Sequence, residues 1–299
     1  MKLINPEVRI ETDSRCNSNC IMCPRSYLTR PQVTMGFYHF KNLCAQAKNL
    51  GAKTISLFGF GEPLLDPTIA EKVALVTTLG MDSFITTNAS LLTESVTHKL
   101  LDAGLTQIRF SVHGLGDTYN KTHVGLSWKR TINNITKFLS MNTGWCKTNV
   151  SVIPMNGETV EEIRDFWEFQ VDYLEIWRPH NWSYGKDYRK VKTRKTTCGR
   201  PFSGPIQINA DGKMMVCCFD FNAIMTVGDT YENTIEEILR GKEYHRIRTK
   251  HKVGDLDGLP CKNCDQLNEY TEKDYPLLYS NRDKDKKINV SSSTKFSLE

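Results

Sequence analysis

Short apolar runs alternate with amphipathic stretches along residues 1–180. Runs rich in β-branched and aromatic residues predict strands at 8–12, 54–58, 83–87, 107–112, 149–153 and 173–177. Between them, apolar positions recurring every three or four residues predict helices at 37–50, 68–79, 93–103, 129–141 and 158–169. Thr93 suits an N-cap, and Gly51, Gly80 and Gly104 close the helices that precede them. Strands alternating with helices pair in parallel through crossovers. Six such units are too few for a closed eightfold barrel and fit a partial (β/α)6 barrel of the TIM type. In that architecture the chemistry sits on loops at the carboxyl ends of the strands.

The period is lost at Asn181. Residues 181–197 read as a basic linker, with six Lys or Arg among the ten positions 186–195, either a solvated face or a surface for an anion. Residues 198–270 form a second, smaller unit. In it a hairpin, 206–209 and 213–216, turns at Ala210-Asp211-Gly212, and a helix is expected at 234–248. Residues 271–299 are polar and charged, too poor in apolar side chains to order a core, and are expected to be a disordered tail.

Composition narrows the class. With 39% hydrophobic and 24% charged residues over 299 positions, the balance is that of a globular protein with a sizeable core. A net charge of +5 is too small at this length to argue for nucleic acid. No run approaches the ~18 apolar residues of a membrane span, and the first residues lack the apolar stretch of a signal peptide. A cytoplasmic location is expected, with no nucleic-acid or membrane partner.

Ten cysteines are many for that compartment, where clustered cysteines bind metal or catalyse. Cys16, Cys20 and Cys23, spaced Cys-x3-Cys-x2-Cys, follow the first strand directly. Three thiolates on one loop can hold three corners of a 4Fe–4S cube and leave one iron open, whereas structural zinc wants a fourth protein ligand. This loop resembles that of the radical S-adenosylmethionine (SAM) superfamily, with Met22 where an aromatic residue is common. The resemblance continues along the chain. Gly59-Phe60-Gly61-Glu62-Pro63 after the second strand is similar to the element that meets the methionine ammonium of SAM. Gly61, Glu62 and Pro63 are thereby implied as cofactor contacts. Thr86-Thr87-Asn88-Ala89 resembles a Thr-Asn-Gly segment, which implies that Asn88 reaches the ribose. Arg109-Phe110-Ser111-Val112-His113-Gly114 resembles a segment whose serine, here Ser111, also reaches SAM. The family's chemistry would then follow: an electron from the reduced cluster cleaves SAM, and the 5′-deoxyadenosyl radical takes a substrate hydrogen.

Cys198, Cys217, Cys261 and Cys264 make a second group. Alone, four cysteines in this order suit zinc as well as an Fe–S cluster. After a barrel of this kind they resemble the C-terminal extension of the SPASM or "twitch" subgroup. That implies one auxiliary 4Fe–4S cluster, with Cys217 and not Cys218 as ligand. Cys44 reads as a buried small hydrophobe, and Cys146 has no partner in the sequence. His113 should overlook the pocket. The resemblance implies that Arg178, in the loop after the sixth strand, contacts substrate; its fixed fork of donors suits hydroxyl, phosphate or carboxylate groups, and His180 and Asn181 share the loop.

The reaction expected from this set is a two-electron dehydrogenation of a hydroxyl-bearing small molecule, the auxiliary cluster accepting the second electron. A flavodoxin or ferredoxin would be the one-electron reductant. Radical cross-linking or epimerisation of a peptide is the alternative enzyme. A non-catalytic Fe–S or zinc-binding protein is the alternative of another class.

Overall fold

The computed structural model describes residues 2–182, 184–191 and 195–269, with the strands Leu277–Ser280 and Ile288–Asn289. Six parallel strands lie side by side in chain order: β1 (Glu7–Ile10), β2 (Thr54–Ser56), β3 (Asp82–Thr87), β4 (Gln107–Ser111), β5 (Lys147–Val152) and β6 (Tyr173–Ile176). The crossovers carry α1 (Phe37–Asn49), α2 (Ile69–Thr78), α3 (Glu94–Asp102), α4 (Asp117–Thr122), α5 (Trp128–Met141) and α6 (Val160–Trp167). The α/β reading therefore holds, with ends trimmed by a residue or two as fraying dictates. The pattern hides α4, whose six residues DTYNKT bury only Tyr119 and Thr122.

Strand alternation separates two interiors. Val8, Ile10, Ile55, Ile85, Ile108, Phe110, Val150, Val152, Leu174 and Ile176 are buried and join the core beneath the helices. There α5 presents Thr131, Asn134, Ile135 and Phe138 at helical spacing. The intervening residues Glu7, Arg9, Ser56, Phe84, Arg109, Asn149 and Glu175 face the other way, into a polar lumen. Glu7 accepts from Arg9 Nε and Ser56 Oγ, both at 2.6 Å. Glu175 accepts from Arg109 Nη2 at 2.8 Å, Asn149 Nδ2 at 2.6 Å and Trp177 Nε1 at 2.8 Å.

The C-terminal unit grows out of the same sheet. After α7 (Arg200–Ser203), strand β7 (Ile206–Ile208) pairs in parallel with β1, Val8 opposite Ile206 and Ile10 opposite Ile208. Strands β8 (Lys213–Met215) and β9 (Thr226–Asp229) follow antiparallel. The helix expected at 234–248 is two, α8 (Ile235–Arg240) and α9 (Lys242–Val253). Gly241, extended at φ −68° and ψ 156°, caps both, and a capping box of Thr234 and Glu237 starts the first.

Two expectations about loose segments change. Much of 181–197 is docked. Asn181 Oδ1 accepts from the backbone of Tyr188 at 2.7 Å and Arg189 at 2.8 Å, while Lys186 Nζ and Tyr188 Oη reach the Ile21 carbonyl at 3.0 and 3.2 Å. In the expected tail, β10 (Leu277–Ser280) pairs antiparallel with β6, and β11 (Ile288–Asn289) pairs with β10. An unclosed barrel leaves β6 with open backbone groups, and the apolar run at 277–279 supplies partners for them. The rest of 271–299 lies outside the described residues.

Candidate cofactor and substrate site

Parallel strands deliver every loop of interest to one edge of the sheet. The loop after β1 is anchored from two sides. Ser14 N donates to Val33 O at 3.0 Å, and Asn19 N and Ile21 N donate to Val124 O and Thr122 O at 2.9 and 3.0 Å. Cys16, Cys20 and Cys23 ride on this frame, with Cys23 capping the short helix Pro24–Tyr27. Burial pushes Cys20 up to about 12 and Cys23 to about 11, and raises Cys16.

The loop after β2 presses against it. A Cβ on Gly61 would lie 2.0 Å from the Asp13 carbonyl oxygen and 2.6 Å from that of Arg15, so only glycine fits. Glu62 N then donates to Arg15 O at 2.7 Å. The resemblance aims the Glu62 carboxylate at a ligand's ammonium. In the structure it is 2% exposed and both oxygens are engaged internally. Oε1 accepts from Thr87 Oγ1 at 2.6 Å and Leu64 N at 3.0 Å, and Oε2 accepts from Asn88 N at 2.8 Å. Burial lifts its pKa from 4.5 to about 7 against these hydrogen bonds. Glu62 thus ties the β2 loop to the β3 loop. Pro63 is buried and opens the turn Pro63–Leu65. Asn88 is buried, donating to Asn17 Oδ1 at 2.9 Å and accepting from Ser90 Oγ at 2.6 Å. Ala89, where the similar segment has glycine, takes φ +59°, the region that favours glycine.

Ser111 closes β4, half-buried opposite Ser151. His113 Nδ1 accepts from Ile153 N at 3.0 Å, and burial lowers its pKa to about 4. It is a neutral ring fixed across the ends of β4 and β5. Arg178 is exposed. The alternation of β6 turns Glu175 into the lumen, where Trp177 Nε1 meets it; Arg178 lies two residues past the end of that strand. The inward arginines of the six parallel strands are Arg9 and Arg109. Sequence reading missed Arg9 and Arg109, along with Glu7, Asn149 and Glu175. The available signal was Glu7-x-Arg9 alternating with Val8 and Ile10. His180 packs on Phe219 and Trp182, at 4.3 and 4.5 Å between ring centres. With Phe60 and Phe221 these rings roof the cysteine loop, where Trp182 Nε1 donates to Met22 O at 2.8 Å.

Cys198, Cys217, Cys261 and Cys264 line one cavity with Arg200, Phe219 and Met225. Cys218 is outside it and receives Arg200 Nη1 at 3.1 Å. The charges of Arg200 and Cys218 act on Arg9 across the lumen. Burial pushes Cys261 and Cys264 to about 12. Cys44 and Cys146 are buried in the core.

The family model of the radical SAM superfamily matches residues 10–169, and that of an iron–sulfur cluster-binding domain, SPASM, matches residues 198–265. The residues fit 4Fe–4S clusters. The cysteines of both groups stand outside any disulfide, four of them around one cavity. Buried neutral thiols of this kind release protons on loading. A probable GTP 3′,8-cyclase of Methanothermobacter marburgensis is 32% identical over 165 residues, covering 54% of this chain and 52% of the relative. The chain thus spans about half the length of the first curated relatives it matches. The S-adenosyl-L-methionine-dependent 2-deoxy-scyllo-inosamine dehydrogenase of Niallia circulans is 23% identical, covering 90% of this chain and 96% of the relative. Among solved structures, BtrN in complex with AdoMet and 2-DOIA shares the fold at a TM-score of 0.64 and 22% identity, covering 93% of this chain and all of that one. Streptococcus suis SuiB bound to precursor peptide SuiA does so at 0.69 and 16%, covering 82% of this chain and 67% of that one. A superfamily match over more than half of its length places this chain in the radical SAM superfamily, with S-adenosylmethionine and 4Fe–4S clusters as its cofactors.

Proposed function

We propose that this protein oxidises a hydroxyl-bearing small molecule, a CH–OH carbon losing one hydrogen atom, one electron and one proton to become C=O. Cys16, Cys20 and Cys23 hold the first cluster; Cys198, Cys217, Cys261 and Cys264 hold the second. Gly61, Glu62, Pro63, Asn88 and Ser111 shape the SAM site. When bound, SAM and its cluster supply a hydrogen-abstracting radical, and the auxiliary cluster supplies an electron acceptor.

The observation that carries this reading is the polar lumen of the barrel. Arg109 Nε and Asn149 Oδ1 are buried there without a hydrogen-bond partner. One is a donor and the other an acceptor, and a hydroxyl can satisfy both kinds. Arg9 pairs with Glu7 and Arg109 with Glu175, so the charges cancel and a polyol or amino-polyol suits the space better than an apolar ligand. The aromatic roof keeps water from the reacting centre. The extended likeness to the 2-deoxy-scyllo-inosamine dehydrogenase supports the same class. The fold shared with peptide-bound SuiB supports peptide modification as the second reading. A flavodoxin or ferredoxin in the cytoplasm completes the proposal as reductant.

The test supplies reduced, reconstituted protein and SAM with carbon-deuterated cyclitols, amino-cyclitols and sugars. Deuterium entering 5′-deoxyadenosine, with a product lighter by the two lost hydrogens, supports the dehydrogenase. Transfer from peptides alone supports the second reading and overturns the first.

A further inference from the structure

His123 lies 103 positions from Cys20 in the chain, yet its Nδ1 stands 3.3 Å from the Cys20 sulfur. Its other ring nitrogen, Nε2, is the partner of the His113 backbone N–H at 2.9 Å. A backbone N–H can only donate, so Nε2 is an acceptor and carries no proton. The ring is therefore neutral with its proton on Nδ1, aimed at sulfur. The arrangement is built into the fold. His123 is 1% exposed and lies between Tyr119, at 4.3 Å and 19°, and His113, at 5.0 Å and 14°. Tyr119 is itself held by Thr131 at 2.9 Å. Backbone pairings from 122 and 124 to Ile21 and Asn19 lock this segment to the cysteine loop. Ser18 Oγ adds a contact to the same sulfur at 3.2 Å.

We propose that His123 is a positioning residue that raises the reduction potential of the SAM-binding cluster by donating Nδ1–H to the Cys20 sulfur. The proposal rests on Cys20 being a cluster ligand. Reduction adds negative charge to the cluster and its sulfurs, and a fixed donor stabilises that charge more than the oxidised state. No other described histidine reaches a sulfur of this group.

The test compares wild type with His123→Phe, which keeps a flat stacking ring without a donor, and His123→Asn, which keeps an N–H donor near the Nδ1 position. Each is reconstituted anaerobically, its iron counted, and the cluster whose EPR signal responds to SAM is titrated. Full iron and a SAM-responsive signal in wild type establish the ligand reading independently of the potential. His123→Phe should disfavour reduction about tenfold, which is about 59 mV lower for one electron, and His123→Asn should restore most of that shift. An unchanged potential in His123→Phe overturns the proposal, as does an equal shift in both variants. If His123→Phe fails to hold iron, the wild type decides. Pulsed EPR of its reduced cluster in 15N-histidine protein should show a weak nitrogen coupling that His123→Asn abolishes, and its absence overturns the proposal.

Discussion

Replacing Glu62 by Gln has opposite consequences at low and high pH. Burial raises the carboxyl from 4.5 to about 7, so between those values the native state holds a proton that the unfolded state has released. Stability from this group is present below about pH 4.5 and falls as pH rises to 7. The shift of about 2.5 units corresponds to roughly 3 kcal/mol, at 1.36 kcal/mol per unit. Gln does not titrate. At pH 5.5 a largely protonated Glu62 and a Gln present similar hydrogen-bonding groups to Thr87, Leu64 and Asn88 in the native state, so the two proteins differ chiefly in the proton that unfolded wild type has released. Between pH 5.5 and 8 the wild type loses the rest of that stabilisation, roughly 2 kcal/mol, while any hydrogen bond that Gln forgoes at Asn88 N–H is the same at both pH values. The melting difference, Gln minus wild type, should therefore move upward by about 4 °C from pH 5.5 to 8, at ~2 °C per kcal/mol. The assay is differential scanning calorimetry of cluster-loaded, SAM-free protein. A difference that stays flat, or moves downward, refutes the buried-carboxylate reasoning.

Reconstituted protein should hold about eight irons, four per 4Fe–4S cluster, and Cys16, Cys20 and Cys23 changed together to Ala should leave about four; saturation near four with bound zinc would contradict the second assignment. Cys218→Ser should keep the full iron count while Cys217→Ser loses iron, because Cys217 lines the cavity and Cys218 does not; equal loss in both counts against that choice. Arg30→Met should destabilise the protein by about 3–5 kcal/mol, because the buried Glu11 carboxylate loses a two-pronged partner at 2.6 and 2.7 Å; urea unfolding that shows no loss argues against the pair.

What the sequence discloses is what is local in it. Cys16, Cys20 and Cys23 share one turn of loop, as do Cys261 and Cys264, and their spacing reads directly. The barrel follows from the period of apolar residues, since each crossover needs one strand and one helix. Harder to read is anything set by which side of a strand faces inward. Arg178 is conspicuous because it follows a strand, whereas Glu175, inside that strand, is turned inward only by alternation. Arg109 and Asn149 meet Glu175 only because β4, β5 and β6 are neighbours. His123 was invisible for the same reason, its partner lying a hundred residues away. Strand β7 was legible as half of a hairpin, yet its pairing with β1 depends on an open edge that no local pattern records.

In the proposed oxidation the auxiliary cluster accepts the second electron. The most direct measurement is the ratio of oxidised product to 5′-deoxyadenosine, in wild type and in Cys261→Ala that retains its fold and its first cluster. Wild type should give nearly one product per nucleoside. In Cys261→Ala, nucleoside should persist while product falls about tenfold or more, the substrate radical being returned to starting material by reduction. Equal ratios in the two proteins would contradict the account and leave the second group of cysteines a structural role.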